Sequence, residues 1–179
     1  MGVTKAELRR DGERLVDRGA RVLTTVCDRV IEVGAGLGTV PAVREDPPGA
    51  GPLAAVVAGA AALHDRSPAG FVLVLAVDLP FVEPALLAWL ATHPAPGTVV
   101  PRVEGIAQSL CARYSPDALS VADALVGAGE RSMRALLHSV EVTYVDEADW
   151  SVVCDARAFA DIDTPEDLER WGDSLDDRA

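Results

Sequence analysis

Basic residues are scarce: 16 Lys and Arg stand against 28 Asp and Glu, leaving a formal charge of −12 over 179 residues. A surface of that sign repels nucleic-acid backbones and anionic membranes. Neither is an expected partner, and a nucleotide-sized anion has to be held locally, by backbone amides, a few cations and a metal ion. Cysteine is also sparse. Cys27, Cys111 and Cys154 are odd in number and far apart, which excludes a disulfide framework and a zinc cluster and suits a reducing compartment. His64, His93 and His138 lack partners at metal-ligand spacing and read as structural or surface residues. The longest weakly polar run, Leu53 to Leu63, is too short to cross a bilayer. The opening residues lack the apolar core of a secretion signal, so the expected location is the cytoplasm.

What the chain does contain is an alternation of helical and strand patterns. Leu15, Val16, Val22, Leu23 and Val26 recur at helical spacing within Glu13 to Val26. Short strands are predicted at Arg29 to Val33 and Thr39 to Val43, and a Pro/Gly loop at 47–52 leads into an alanine-rich helix from Pro52 to Leu63. Phe71 to Val77 is continuously apolar, as in a strand covered on both faces. Helices are predicted at Pro84 to Ala91, Asp117 to Val126, Ser132 to Leu137 and Pro165 to Trp171. Strands are predicted at Thr98 to Val103, Ser109 to Tyr114 and Glu141 to Val145, with a short stretch at Phe159 to Ile162. This order predicts one three-layer α/β domain, Rossmann-like, with a mostly parallel sheet.

Ligands of open α/β sheets bind at the carboxyl ends of strands. The polar residues that follow the apolar runs are Gly34, Asp46, Asp78 and the pair Asp161 and Asp163. Asp78 closes the strongest strand and precedes Leu79-Pro80. A carboxylate there can hold Mg²⁺, which takes few protein oxygens and completes its shell with phosphate and water; it can equally cap the next helix. Asp161 and Asp163 stand one residue apart, so either can complete such a site, while Asp163 or Thr164 before Pro165 also makes a good helix start. The loop Gly49-Ala50-Gly51-Pro52-Leu53 can meet part of a nucleotide through backbone amides, or be an ordinary turn. Arg113, Arg131 and Arg134 can meet an anionic substrate or simply be solvated.

Taken together, the motifs resemble one family. Met1-Gly2-Val3-Thr4-Lys5-Ala6 is similar to the end of its loop Leu-Ala-Gly-Gly-x-Ser-x-Arg-Met-Gly-x-Asp-Lys-Ala. Glu45-Asp46 followed by Gly51-Pro52-Leu53-Ala54 resembles its acidic residue and Gly-Pro-Leu-Ala-Gly helix start. Val74 to Phe81 resembles its metal-binding strand end, Gln108 to Tyr114 its Gln-Pro-Leu-x-Ala-x-Tyr strand, and Gly129 to Leu137 its Gly-x-Arg-Ser-Leu-Arg-x-Leu-Leu helix. Phe159 to Leu168 stands where the family has Asn-Ile-Asn-Thr-Pro-Glu-Asp-Leu. The family is that of the molybdenum-cofactor guanylyltransferases, MobA-like nucleotidyltransferases.

The resemblance implies transfer of GMP from GTP to molybdopterin with release of pyrophosphate. Lys5 and Asp78 would be catalytic. Lys5, Asp46, Gly51, Pro52, Leu53 and Asp78 would bind the nucleotide, and Asp78, Asp163 and Asp161 would bind Mg²⁺. GTP and molybdopterin are the implied partners, together with contacts to a molybdoenzyme or another cofactor-biosynthesis protein. Residues 1–172 are expected to form the nucleotidyltransferase domain and 173–179 an acidic tail. The family's first strand and most of its Gly-rich loop are expected ahead of Met1, and the 179-residue chain is expected to bind GTP weakly without them. A cytidylyl- or sugar-phosphate nucleotidyltransferase, and a nucleotide-binding protein with impaired catalysis, remain the alternatives.

Overall fold

The structure is a computed structural model that describes residues 5–64 and 70–162. After a short turn at Lys5–Glu7, a hairpin forms from β1 (Arg9–Arg10) and β2 (Glu13–Arg14), and α1 (Leu15–Thr24) follows directly. β3 (Glu32–Val33) and β4 (Ala42–Val43) pair in parallel as a separate two-stranded sheet. Next come α2 (Pro52–His64), β5 (Val72–Leu75), α3 (Pro84–Thr92), β6 (Thr98–Val103), β7 (Ile106–Ala107) and β8 (Cys111–Tyr114). The described chain ends with α4 (Pro116–Gly127), α5 (Met133–Ser139), β9 (Val142–Val145) and α6 (Glu147–Trp150). No described helix is long and apolar enough to cross a membrane.

The α/β class holds, but the mostly parallel sheet does not form. In the main sheet β5 pairs with β8, β8 with β6 and β6 with β7 antiparallel, and β6 with β9 is the parallel pair. The cause is the turn after β6. Glu104 and Gly105 both take positive φ, 50° and 78°, the conformation of a tight two-residue hairpin that sends the chain straight back, whereas a parallel return would need a long crossover. Because β8 opposes both β5 and β6, those two strands point the same way, and β9 joins them. Their carboxyl ends therefore share one edge.

Each face of this sheet carries a packed helical layer. Val100, Ala112 and Tyr114 meet Leu53, Val56 and Ala60 of α2 and the buried residues of α4 and α5. Val99, Cys111 and Val145 meet Leu86, Leu87 and Leu90 of α3 together with Val22 and Trp150. The alternation of inward-facing side chains along β6 explains why the neighbours Val99 and Val100 enter opposite cores. One expectation fails on burial. Phe71 to Val77 was read as a strand covered on both sides, yet Val72, Leu73, Val74 and Leu75 are only half-buried, Phe71 is 48% exposed and Val77 36%.

Candidate functional site

The site grows from the end of β5. After Leu75 the chain turns through Ala76 to Asp78, with the Leu79 amide donating to the Ala76 carbonyl at 3.4 Å. Pro80 is fixed from outside: its carbonyl oxygen accepts from Arg10 Nη1 at 2.6 Å and from Arg18 Nε at 2.8 Å, and Arg18 Nη2 also bonds Glu83 Oε1 at 2.8 Å. The Phe81 ring lies between the guanidinium groups of Arg10 and Arg157, at 4.7 and 4.0 Å from its centroid. The Arg10 guanidinium is pushed below its ordinary pKa by burial, reinforced by its neighbours Arg18 and Arg157. In a chain of net charge −12 the 78–83 loop thus gathers Lys5, Arg10, Arg18 and Arg157, with Lys5 paired to Asp78, Arg10 to Asp11 and Arg18 to Glu83.

Lys5 and Asp78 are brought together. Nζ of Lys5 donates to Oδ2 of Asp78 at 3.0 Å, with the lysine side chain 41% exposed and the aspartate 24%. Lys5 is the sole lysine in the sequence. The Ile162 amide donates to the Asp78 carbonyl at 3.1 Å, which sets Asp161 beside Asp78 in the backbone, with Ile162 buried and Asp161 exposed. Asp163 lies outside the described residues. The strand that Asp78 closes was expected within a mostly parallel sheet, and here a correction is needed: β5 is the margin of the main sheet and pairs antiparallel, with β8 alone among the described strands.

The second expected group lies on the loop between β4 and α2 and at the start of that helix. Asp46 is exposed on the loop after β4, where its bond to Pro47 is cis. Its neighbour Glu45 builds the loop, accepting the Gly49 amide at 2.8 Å, and that bond holds the Glu45 carboxyl below its ordinary range. Gly51 has φ +101°, and the Leu53 amide donates to the Arg131 carbonyl at 3.4 Å. Pro52 has no N–H, and Leu53 is fully buried with its amide already bonded to Arg131.

Two of the three arginines read as candidate anion contacts are structural, and the third, Arg134, is exposed on α5. Arg113 is buried and donates to carbonyl oxygens of Leu90, Ala91, His93, Ala95 and Gly97, closing the end of α3. Arg131 Nη1 donates to the carbonyls of Val126 and Glu130, joining α4 to α5. The sequence reading missed Arg10 and Arg18, and the adjacent pair Arg9-Arg10 in an acidic chain was the available signal.

No group of three or more His, Cys, Asp or Glu that could enclose a metal occurs among the described residues. A site of few protein ligands remains, and Mg²⁺ commonly uses one or two carboxylates with phosphate oxygens and water. Asp78, partly exposed and backbone-adjacent to Asp161, fits that donor set.

Residues 1–147 match the MobA-like NTP transferase domain. The chain belongs to that family. A relative from Chloroflexus aggregans bearing the name "Probable molybdenum cofactor guanylyltransferase" is 31% identical over 181 residues, covering 94% of this chain and 85% of the relative. One of the same name from Opitutus terrae is 35% identical over 187 residues, covering 95% and 87%. Among solved structures, the molybdopterin-guanine dinucleotide biosynthesis protein A of Archaeoglobus fulgidus superposes with a TM-score of 0.75 at 22% identity, covering 94% of this chain and 89% of that one. The 2-C-methyl-D-erythritol 4-phosphate cytidylyltransferase of Thermus thermophilus gives 0.63 at 19%, covering 93% and 91%. At those identities the two structures speak for the fold only.

Proposed function

We infer that this chain is a molybdenum cofactor guanylyltransferase, moving GMP from GTP to molybdopterin and releasing pyrophosphate. The observation that carries the reading is the Lys5–Asp78 pair at the carboxyl end of β5, in a member of this family matched over almost its whole length. An oxygen of the molybdopterin phosphate attacks the α-phosphorus of GTP; the new P–O bond forms as the bond to the β-phosphate bridge breaks, and pyrophosphate departs with that electron pair. The attacking phosphate is already ionised near neutral pH. No general base and no covalent enzyme intermediate are needed, so catalysis reduces to positioning and charge neutralisation.

Each residue then has a task. Lys5 exchanges the Asp78 carboxylate for phosphate oxygens and places an ammonium where charge accumulates. Asp78, with Asp161 or Asp163, would hold Mg²⁺, which would supply charge neutralisation to the triphosphate. Gly51 offers its amide. Asp46 supplies an exposed carboxylate matched to the two adjacent donors of the guanine edge, N1–H and the N2 amine. Further contacts with a molybdoenzyme or a cofactor-biosynthesis protein would deliver acceptor or receive product.

The experiment is pyrophosphate release from the purified chain with Mg²⁺, molybdopterin and each of GTP, CTP, ATP and UTP. Release with GTP is expected. Release with CTP instead would make the protein a cytidylyltransferase, and GTP binding without release would leave a nucleotide-binding protein.

A further inference from the structure

The loop that leaves β3 reads Gly34-Ala35-Gly36-Leu37-Gly38, a run with little side chain to hold it in one shape. Glu32, the first residue of that strand, supplies the hold. Its Oε1 accepts the amides of Gly36 and Leu37 at 2.8 and 3.0 Å, and its Oε2 accepts the Gly38 amide at 2.7 Å. Amide bonds to an ionised carboxylate are about twice as strong as neutral ones, and here they converge on one side chain. Gly38 is pressed against this clasp. A Cβ there would stand 3.0 Å from both Glu32 Oε2 and Val16 Cγ2, so the loop is closed down on α1 with no room for a larger residue.

The loop borders the candidate site. Gly34, Ala35 and Leu37 line the same concavity as Ala6, Pro52 and Val77, the chain neighbours of Lys5, Gly51 and Asp78. The Gly34 carbonyl accepts from Arg44 Nε at 3.0 Å, which ties the loop to the segment carrying Asp46. What the loop can offer a ligand is set by the clasp. The amides of Gly36, Leu37 and Gly38 are taken up by Glu32, and Glu32 is the sole charged residue among the described residues that line the concavity. This wall therefore repels phosphate oxygens and presents Cα and methyl surface to an uncharged group. The ammonium of Lys5 stands instead at Asp78, beyond the end of β5. A nucleotide placed between them is oriented, with its triphosphate toward Lys5 and its nucleoside toward the loop.

We propose that Glu32 is a positioning residue for the nucleotide: it locks the 34–38 loop as the wall against which the nucleoside half is placed, and acts through that loop without touching substrate. The inference rests on the nucleotidyltransferase reading given above. Its energetic content is a population. A Gly-rich loop without its anchor samples many conformations, and affinity falls by the fraction of molecules that hold the competent one. A loop competent in about a tenth of molecules lowers affinity about tenfold.

The test compares the parent chain with Glu32→Gln, Glu32→Ala and Gly38→Ala in the pyrophosphate-release assay, using the nucleoside triphosphate that the parent turns over and inorganic tripolyphosphate as competitive inhibitor. Glu32→Ala is expected to raise KM for the nucleotide about tenfold and to leave kcat at saturation within about twofold. Glu32→Gln keeps the oxygen that serves Gly36 and Leu37 but sets an amine against the Gly38 amide, so it should fall between parent and alanine. Gly38→Ala retains the carboxylate but forces the clasp apart, and should raise KM in the same direction. The Ki of tripolyphosphate, which has no nucleoside, should be the same in all these proteins, while amide exchange at Gly36 and Leu37 quickens in the variants. An unchanged KM in Glu32→Ala, even with a lower melting temperature, or tripolyphosphate weakened as much as nucleotide, overturns the proposal. A parent that releases pyrophosphate from no nucleotide removes the nucleotidyltransferase reading itself, and the role of Glu32 with it.

Discussion

Gly51 and Arg131 meet backbone to backbone: a Cβ placed on Gly51 would stand 3.3 Å from both the Cβ and the carbonyl oxygen of Arg131. Two loops distant in sequence, one opening α2 and the other opening α5, are held together at that point, and the Leu53 amide bonds the same carbonyl. Gly51→Ala adds a side chain both to a tight contact and to a residue at φ +101°. The expected cost is about 1–3 kcal/mol, read as a lower urea midpoint with an unchanged slope. GTP affinity should fall with it. An alanine variant of unchanged midpoint would show that the two loops separate freely.

The sole lysine gives a direct test of where the triphosphate lies. Guanosine triphosphopyridoxal, which carries its aldehyde at the phosphate end, followed by borohydride should modify Lys5, GTP should protect it, and Lys5→Arg should abolish the label at that site while retaining the charge. Lys5→Ala is expected to lower kcat by about 10²–10³-fold, the usual effect of removing one donor to a developing oxyanion. Labelling confined to the terminal amine, with Lys5 untouched, would remove Lys5 from the phosphate site.

Asp78→Ala should abolish Mg²⁺-dependent turnover and leave the fold intact, because this partly exposed carboxylate makes one surface ion pair and little core contact. Circular dichroism and a melting curve within a few degrees of the parent are the controls. Retained activity would transfer metal binding to Asp161 and Asp163.

The helices of the fold were legible because their apolar spacing and proline starts are local signals. Pro52, Pro84 and Pro116 each open a helix. The β1–β2 hairpin, β7 and α6 were not read, being two to four residues each and too short to show a period. Sheet direction was missed for another reason: it turned on Glu104-Gly105, a dipeptide whose paired positive φ values mark a hairpin only once both flanking strands are known. At the site, Lys5 and Asp78 were legible as motif residues, but the clamp of Arg10 and Arg18 on Pro80 joins positions some 60 to 70 apart, which no local pattern reports. Arg113 shows the converse failure, a charged residue read as a candidate anion contact that is buried because five carbonyl groups receive it.

That buried guanidinium supports a stability prediction. Arg113→Lys keeps the charge but replaces a planar fork with a single ammonium, and Arg113→Met removes the donors altogether. Carbonyls at the end of α3 and in the following loop would lose their partners inside the protein, at a cost of about 1–3 kcal/mol for a group left unsatisfied. Both variants should therefore melt lower than the parent, Met more than Lys. Since Arg113 pairs with Leu73 and lies over Phe71, near the start of β5, while Lys5 bonds Asp78 beyond its carboxyl end, residual activity per folded molecule should be unchanged. A selective loss of GTP binding would instead place Arg113 in the site.

The thiols predict an alkaline limit. Burial pushes the Cys111 thiol from 9.0 up to about 12, and Cys154 is raised to about 11, chiefly by burial with Asp155 adding to it. A group whose folded pKa lies above its unfolded value contributes stability that is complete below the unfolded pKa and lost as pH rises through the folded one. Stability should accordingly decline from about pH 9 upward, and Cys111→Ala should flatten that decline while costing some packing at neutral pH. The thiolate is the reactive form, so at pH 8 Ellman's reagent should modify Cys111 only when urea unfolds the chain. Rapid reaction of Cys111 in the native protein, or an alkaline limb unaffected by Cys111→Ala, would show that its pocket opens to solvent well below the global unfolding transition.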